Sequence, residues 1–287
     1  MRTIDATLIT KTVERLCIEA NCNLGTDVCA ALKAGIEAEE ALGAQVLATL
    51  VKNAQIAREE QVALCQDTGV VVVFVEIGQQ AAVIGGSLAR AINEGVRHGY
   101  ERGFLRQSVV NCPNERINTR DNTPAVIHYD IVDGDRLKIT VMPKGFGSEN
   151  MSALKMLKPS DGIDGAMNFV LKTVKQGGQN ACPPLIVGVG IGGTMEKAAL
   201  LAKRALLRPV GEPIPDACGR ETPSAFWRAM EAALLKRINA LGIGPLGLGG
   251  KLTAMAVNIE TYPTHIAGLP VAVNLCCHSA RHAQAEL

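Results

Sequence analysis

An uninterrupted apolar run at residues 70–75, five valines and one phenylalanine, constrains the fold of this chain more than any other feature. Such a run of β-branched and aromatic residues favours a strand covered on both faces, which is typical of α/β proteins. The polar turn before it contains Cys65, Gln66 and Asp67. Reactive side chains at the mouth of a buried strand are where α/β proteins commonly bind ligands. The turn is therefore the first candidate site, although a solvated turn with one buried cysteine explains these residues equally well.

Helices and strands are predicted along the whole chain. Ile9, Val13 and Leu16 are spaced as on one helix face, and Thr26 with Asp27 is typical of a helix start. Helices are expected within residues 5–60 and at residues 88–100, 161–176, 194–207 and 224–241. Further strands are expected at residues 126–132, 137–142, 185–189, 252–258 and 270–275. The sequence predicts an α/β fold in one compact domain, residues 1–287, with a helical N-terminal part, a mixed β-sheet and glycine-rich loops.

Three connecting segments carry more information than the others. Asp133 and Gly134 separate two alternating strands, a pattern that predicts a β-hairpin. Residues 104–124 form a long polar segment between apolar elements, which indicates a functional loop held in place. In residues 143–150, glycines flank Lys144 and a serine, so that the backbone can surround a small anion.

The overall charge and the apolar runs exclude several classes of protein. A net charge of +1 and an aromatic content of 3% give no electrostatic or stacking surface for nucleic acid. No apolar run approaches the roughly 18 to 20 residues of a membrane span, and the N-terminus lacks the layout of a secretory signal. We therefore expect a cytoplasmic protein that binds neither nucleic acid nor membrane.

The nine cysteines are an odd number without framework spacing, which argues against a disulfide scaffold. Four of them have apolar or unremarkable neighbours and are expected to be structural: Cys17, Cys22, Cys29 and Cys218. The other five have more polar neighbours: Cys65, Cys112, Cys182, Cys276 and Cys277. No pair has the C-x-x-C spacing of zinc ribbons or ferredoxins. From spacing alone, the simpler interpretation is that these cysteines are buried thiols that do not form a common site.

Residues 188–193 follow a predicted strand, precede a predicted helix and match G-x-G-x-x-G, the dinucleotide-binding pattern. That pattern also requires an acidic residue about 20 positions later, at the end of a second strand. Here a helix and a loop rich in proline and glycine follow instead. An NAD-binding oxidoreductase is thus a remote alternative, since a glycine-rich turn before a helix can bind any anion.

Several motifs, in order along nearly the whole chain, carry a family resemblance. They are CQDTG at 65–69, MPKGFGSEN at 142–150, ACPP at 181–184, GVGIGGT at 188–194, GLGG at 247–250 and CHSAR at 277–281. Together they resemble the class I, iron–sulfur-dependent fumarase family. The resemblance is closer to the α subunit of its two-subunit members, which include L(+)-tartrate dehydratase.

The resemblance implies a [4Fe–4S] cluster held by three cysteines, with one iron open to substrate. Matched by motif, the ligands are Cys65, Cys182 and Cys277. Cys277 is preferred to its neighbour Cys276 because it directly precedes the His-Ser-Ala-Arg continuation. Cys112 matches no ligand position and is expected to be structural.

The resemblance also implies the substrate-binding and catalytic residues. Those expected to bind substrate are Gln66, Asp67, Arg106 and Gly147, with Lys144 as a less firmly matched anion contact. His265 is expected beside the pocket, and His265 and Asp67 are the catalytic candidates. Arg106 suits this role because a guanidinium group binds a carboxylate through two hydrogen bonds. A surface ion pair for Arg106 and a scaffold hydrogen bond for His265 are the simpler alternatives.

Single-chain members of this family are about twice as long and carry a second domain with further catalytic residues. Nothing in this sequence resembles that domain. The resemblance therefore implies a separate β subunit, an α2β2 assembly and an inactive isolated chain. Fumarate hydration to (S)-malate is the favoured reaction. L(+)-tartrate and mesaconate chemistry share the same elimination and stay open, whereas a non-catalytic scaffold is disfavoured because all three ligand cysteines are retained.

Overall fold

The computed structural model describes residues 1–214 and 224–287, which form two compact units. The first unit comprises Met1–Gly25, Asn53–Phe146 and Arg281–Leu287. The second comprises Thr26–Lys52 and the described part of Gly147–Ala280. Each unit has its own four-stranded mixed sheet, so the predicted α/β class is confirmed. The assignment of residues 1–287 to one hydro-lyase domain stays a prediction.

Helices and strands lie close to the predicted positions. The helices are α1 (Ala6–Cys22), α2 (Thr26–Ala38), α3 (Ala41–Glu60), α4 (Leu88–Arg102), α5 (Phe146–Glu149), α6 (Gly162–Gly177), α7 (Met195–Ala205) and α8 (Ser224–Asn239). The strands are β1 (Arg2–Asp5), β2 (Val70–Gly78), β3 (Ala81–Ile84), β4 (Val126–Val132), β5 (Leu137–Lys144), β6 (Ala153–Leu157), β7 (Leu185–Gly192), β8 (Ala254–Tyr262), β9 (Leu269–Cys276) and β10 (Ala283–Glu286). The sequence did not predict the short strands β1, β3, β6 and β10.

The valine-rich strand β2 lies inside the sheet of the first unit, whose strand order is β10-β5-β2-β4. Val71, Val73 and Val75 are fully buried and share a core with the apolar face of α1. That helix begins after Asp5, whose carboxylate accepts the Thr7 N–H at 2.6 Å and satisfies one of its free amide groups. The predicted buried strand and the first predicted helix are both confirmed.

The hairpin predicted at Asp133 and Gly134 is wrong. β2 lies between the two strands and pairs parallel with β4 and antiparallel with β5. The connection crosses the end of β2, where the Gly78 N–H donates to the Arg136 carbonyl at 2.8 Å. A strand that is apolar on both faces is most stable at the centre of a sheet, where neighbouring elements cover both faces, and this long-range preference overrides the local turn signal.

The sheet of the second unit has the strand order β6-β9-β7-β8, with β7 parallel to β8 and antiparallel to β9. All eight residues of β7 are buried. Helices α6 and α8 contribute apolar side chains to the main core of this unit, whereas α7 packs Ala198 and Ala202 against Ala272 of β9. The sheet is therefore covered by helices, as expected for a strand as apolar as β7.

The glycine motif at residues 188–193 serves helix packing. A Cβ atom on Gly188 would lie 2.2 Å from the Ala202 carbonyl oxygen, and one on Gly190 would lie 2.0 Å from the Ala198 carbonyl oxygen. Both distances are far below van der Waals contact, so only glycine lets α7 approach β7 this closely. These glycines thus have a structural explanation that needs no dinucleotide.

Replacing Gly190 by alanine should destabilise the second unit by about 3 kcal/mol, because α7 must move away from the strand. Urea denaturation followed by circular dichroism measures the effect as a lower midpoint. Gly268→Ala is the matched control, since the added Cβ atom would only approach the His265 carbonyl oxygen, at 4.0 Å. An unchanged midpoint for Gly190→Ala would contradict the packing role.

No helix within residues 1–214 and 224–287 combines the length and the apolar character needed to cross a membrane.

Candidate functional site

The turn before β2 is held by three buried side chains that donate to successive backbone carbonyl groups. The bonds run from Arg281 to Asp67 at 2.5 Å, from Tyr100 to Thr68 at 2.5 Å and from Asn122 to Gly69 at 3.1 Å. Burial raises the pKa of the Tyr100 hydroxyl well above its usual range, so it stays protonated and can donate. Side chains from α4, from the polar loop at residues 104–124 and from the C-terminal segment therefore hold the backbone of the turn in place.

The side chains of the turn are partly exposed and bonded to one another. The Asp67 N–H donates to the Cys65 sulfur at 3.4 Å, and the Gln66 side-chain oxygen lies 3.5 Å from the same sulfur. The Asp67 carboxylate accepts the N–H of Gly69 at 3.0 Å and the N–H of Phe146 at 2.8 Å. An N–H directed at a cysteine sulfur is a feature that stabilises a metal-bound thiolate.

The polar loop at residues 104–124 is tied to this turn. The Thr68 hydroxyl donates to the Arg106 carbonyl at 2.8 Å, and the Ser108 N–H donates to the Asn122 side chain at 2.8 Å. Asn122 is fully buried and has a positive φ of 59°, a backbone conformation that asparagine tolerates better than most residues. These contacts hold the loop in place, as predicted. The side chain of Arg106 is exposed, and its backbone lies next to the turn.

Lys144 ends β5 next to the same turn. Its side chain is only 1% exposed, and its ammonium group donates to the Gly145 carbonyl at 3.4 Å. A Cβ atom on Gly69, whose φ is +76°, would lie 2.6 Å from the Lys144 backbone, so glycine is required where the two strands meet. The first unit thus gathers five predicted site residues: Cys65, Gln66, Asp67, Arg106 and Lys144.

Gly147 belongs to the second unit and is exposed. A Cβ atom added at this position would meet nothing within 4 Å. The space beside Gly147 is therefore open, which is what a backbone contact to a small ligand requires.

Cys182 lies in the second unit, between a short 3-10 helix and β7. It has a positive φ of 54° and is exposed, and its carbonyl accepts the His278 N–H at 3.2 Å. His278 directly follows Cys277, so the loops that carry these two cysteines are bonded together. The glycine-rich loop supports them, since the Leu246 N–H donates to the Pro183 carbonyl at 2.8 Å.

Cys276 and Cys277 differ in their surroundings. Cys276 is buried at the end of β9, whereas Cys277 follows the strand and is half-buried. The Cys277 sulfur lies 3.1 Å from the Ser279 hydroxyl oxygen. The accessible thiol is therefore that of Cys277, which agrees with the ligand chosen from the motif.

His265 lies at the other end of the second unit's sheet. It is exposed in the loop between β8 and β9, next to the Gly192 end of β7, whereas Cys182 and Cys277 lie at the Leu185 end. The eight residues of β7 extend roughly 23 Å. His265 is therefore separated from Cys182 and Cys277 by the length of the sheet, because β9 carries the chain from one end to the other. Its expected place beside the substrate pocket stays a prediction.

The remaining cysteines have mostly structural surroundings. Cys17 and Cys22 are fully buried, and burial raises the pKa of both thiols. Cys29 is half-buried. Backbone N–H groups of Glu115 and Asn114 lower the pKa of the Cys112 thiol. Cys218 lies outside the described residues.

The proposed cluster ligands are divided between the units, with Cys65 in the first and the other two in the second. In neither unit do the described residues gather three His, Cys, Asp or Glu side chains into a group that could hold a metal ion. The donor chemistry nevertheless fits an iron–sulfur cluster. All three thiols are at least partly exposed at the ends of loops, and an N–H points at one of the sulfurs.

Sequence comparisons identify the class of protein to which this chain belongs. The family described as "Fumarate hydratase (Fumerase)" matches residues 10–286. A protein of Methanocaldococcus jannaschii named "Putative L(+)-tartrate dehydratase subunit alpha" is 43% identical over 284 residues, 96% of each chain. The L(+)-tartrate dehydratase subunit alpha of Escherichia coli strain UTI89 is 33% identical over 278 residues, 95% of this chain and 88% of that one. The chain is therefore a hydro-lyase chain. It belongs to the fumarate hydratase family, as the motifs predicted.

Proposed function

We propose that this chain is the α subunit of a [4Fe–4S]-dependent hydro-lyase that acts on a 2-hydroxy dicarboxylic acid. The observation that carries the proposal is the anchored turn of the first unit. It presents Cys65, Gln66 and Asp67 together, beside Arg106 and Lys144. A soft metal ligand, an acid–base group and cations for carboxylates are the components that such an elimination needs.

Cys65, Cys182 and Cys277 would hold the cluster. When bound, such a cluster supplies an iron without a thiolate ligand, a Lewis acid for hydroxyl and carboxylate oxygens. The hydrogen bond from Asp67 to the Cys65 sulfur and that from His278 to the Cys182 carbonyl would fix the two loops in position.

The carboxylates of the substrate need donors. Arg106 can bind one of them through two hydrogen bonds, and Gln66 offers an amide donor from the neighbouring loop. The open space at Gly147 would admit a carboxylate oxygen close to the backbone. Lys144 would contribute a buried positive charge more than a direct contact, because its ammonium group bonds to the Gly145 carbonyl.

In the elimination, a C–H bond and the neighbouring C–O bond break and a carbon–carbon double bond forms. The proton and the hydroxide leave together as water. Asp67 is the acid–base group that this chain holds next to a proposed ligand, with both carboxylate oxygens oriented by backbone N–H groups. His265 is not proposed to act on a substrate at Cys182 of its own chain, since the length of the sheet separates them.

Two substrate pairs are supported by different observations. The family description supports fumarate and (S)-malate, which is our first proposal. The names of the relatives support L(+)-tartrate and oxaloacetate as the second. Steady-state kinetics of the complete enzyme with (S)-malate and L(+)-tartrate distinguish the two, because the physiological substrate should have the higher kcat/KM. If the complete enzyme turns over neither (S)-malate nor L(+)-tartrate, the proposed function is contradicted.

The relatives are named as alpha subunits, which supports a β subunit as the partner of this chain. We propose that the β subunit supplies the remaining catalytic groups in an α2β2 assembly. Co-purification of a tagged α chain with its partner, followed by sedimentation analysis, tests both the pairing and the stoichiometry.

Arg106→Lys should raise KM by about 10- to 100-fold, because lysine keeps the charge but loses the second hydrogen bond to the carboxylate. The kinetics of the complete enzyme with (S)-malate and L(+)-tartrate measure this change. Arg102→Lys is the matched control, since Arg102 is exposed and pairs with Glu14 at 2.6 Å on the surface. Equal KM values for the two variants would show that Arg106 does not bind the substrate carboxylate.

A further inference from the structure

The edge strand β4 of the first unit has few of the features that normally protect a sheet edge. Among residues 1–214 and 224–287 it pairs with β2 on one side and with no strand on the other. Natural edge strands are usually short or carry proline, a bulge or charged side chains, above all lysine, because a long apolar edge invites another strand to pair. Asp130 is the one carboxylate of β4. β4 has seven residues, none of them lysine, proline or glycine, and its register with β2 is unbroken.

Apolar side chains of this edge are exposed. Ile131 is 73% exposed and Tyr129 is 47% exposed, although both lie opposite core-facing residues of β2, Val75 and Ile77. Val126 at the start of the strand is exposed as well. A group of exposed apolar side chains on a weakly protected edge is typical of a surface that another protein covers.

The sequence of β4 is complementary to itself when two copies run antiparallel about Tyr129. In that register His128 lies opposite Asp130 of the second copy, and the same pair occurs again on the other side of the axis. Ile127 lies opposite Ile131 on one face of the sheet, and the strand ends, Val126 and Val132, meet on the other. An imidazole beside a carboxylate, which can hydrogen-bond, and β-branched pairs are both favourable across strands.

The neighbouring registers are worse. Two residues that lie directly opposite each other in antiparallel strands point to the same face of the sheet. The two-fold axis between two copies of β4 must therefore pass between two copies of the same residue. The positions next to Tyr129 are His128 and Asp130. An axis at Asp130 puts two carboxylates directly opposite each other. An axis at His128 puts two imidazoles opposite each other and sets Val126 against Asp130. Tyr129 is therefore the centre that charge complementarity selects.

We propose that β4 is the contact between two copies of this chain, with the strands paired antiparallel about Tyr129. The two four-stranded sheets of the first units then continue into each other across a two-fold axis. This contact would supply the link between α subunits in a larger assembly, but it rests on the sheet edge alone and not on the proposed reaction.

Cysteine cross-linking tests the register. In the Tyr129→Cys variant the two new cysteines lie directly opposite each other with their Cα atoms about 4.5 to 5.5 Å apart, within the Cα range of disulfides. In the Ile131→Cys variant the equivalent positions are about 13 Å apart, too far for a disulfide. The full chain, with and without its partner subunit, is oxidised mildly and run on a non-reducing gel. We expect a covalent dimer of this chain for Tyr129→Cys beyond the wild-type background, and none for Ile131→Cys.

Sedimentation of a charge variant tests the contact itself. Tyr129→Lys sets two ammonium groups opposite each other on the axis and should weaken self-association roughly tenfold or more. Leu8→Lys on α1 is the control, because Leu8 is 48% exposed and lies away from the edge. Circular dichroism checks that both variants are folded.

Several results would overturn the proposal: a monomeric wild-type chain, a cross-link at position 131 but not at 129, or unchanged self-association of Tyr129→Lys. Hydrogen exchange identifies the other possible occupant. If the amides of β4 are protected only after the partner subunit is added, the edge binds that subunit and not a second copy.

Discussion

The Cys182→Ser variant should lose most of its iron and retain less than about one hundredth of wild-type activity. Serine keeps the size of the side chain but replaces a soft thiolate by a hard hydroxyl, a poor ligand for an iron–sulfur cluster. Cys182 is exposed in a left-handed backbone conformation, a strained geometry that a purely structural cysteine does not need. Iron and sulfide analysis of anaerobically purified enzyme, together with the visible absorption spectrum, measures the loss independently of turnover.

The adjacent cysteines at the end of β9 provide the sharpest control for this ligand set. Cys277→Ser should behave like Cys182→Ser, because the half-buried Cys277 is the accessible thiol of the two. Cys276→Ser should keep its iron and show only a modest loss of stability, since this side chain is buried in the strand. The opposite outcome, with iron lost only from Cys276→Ser, would move the ligand to Cys276. Unchanged iron in Cys182→Ser would refute the whole set.

Much of the fold follows from local patterns in the sequence. The apolar spacing of α1 and the continuous apolar runs of β2 and β7 are each set by neighbouring residues, and these elements are where the sequence predicts them. Strand partners are a different matter. The Asp133-Gly134 turn signal is local, whereas the position of β2 between β4 and β5 depends on which strand has two apolar faces to cover. The division into two units was likewise not predicted, because segments distant in sequence make up each one.

In the candidate site, too, local sequence patterns predict contacts between neighbouring residues but not contacts between distant parts of the chain. Cys65 and Asp67 are two residues apart, so their contact could be expected from the motif. Tyr100, Asn122 and Arg281 hold the turn but come from α4, the polar loop and the C-terminal segment, and no local pattern connects them. The only available signals were the long ordered loop for Asn122 and the terminal motif for Arg281.

His265 shows that sequence proximity to a proposed ligand does not by itself imply contact with it. It precedes Cys277 by one strand, but the family resemblance, and not sequence proximity, places it beside the substrate pocket. An extended strand, however, carries the chain about 3.3 Å per residue, so β9 separates the two by the length of the sheet. Sequence proximity indicates spatial proximity across a turn but not across a strand.

The isolated chain should turn over malate and tartrate at least about 100-fold more slowly than the complex with its β subunit, even after anaerobic reconstitution with iron and sulfide. Loss of an acid–base group lowers the rate of turnover by at least about that factor. Asp67 is the only predicted acid–base residue that the first unit holds beside the turn. Adding the β subunit to the same reconstituted sample should restore activity, while iron content measured before and after separates loss of metal from loss of a catalytic group. Comparable rates for the reconstituted chain and the complex would show that this chain holds the whole catalytic machinery, and the β subunit would then need another role.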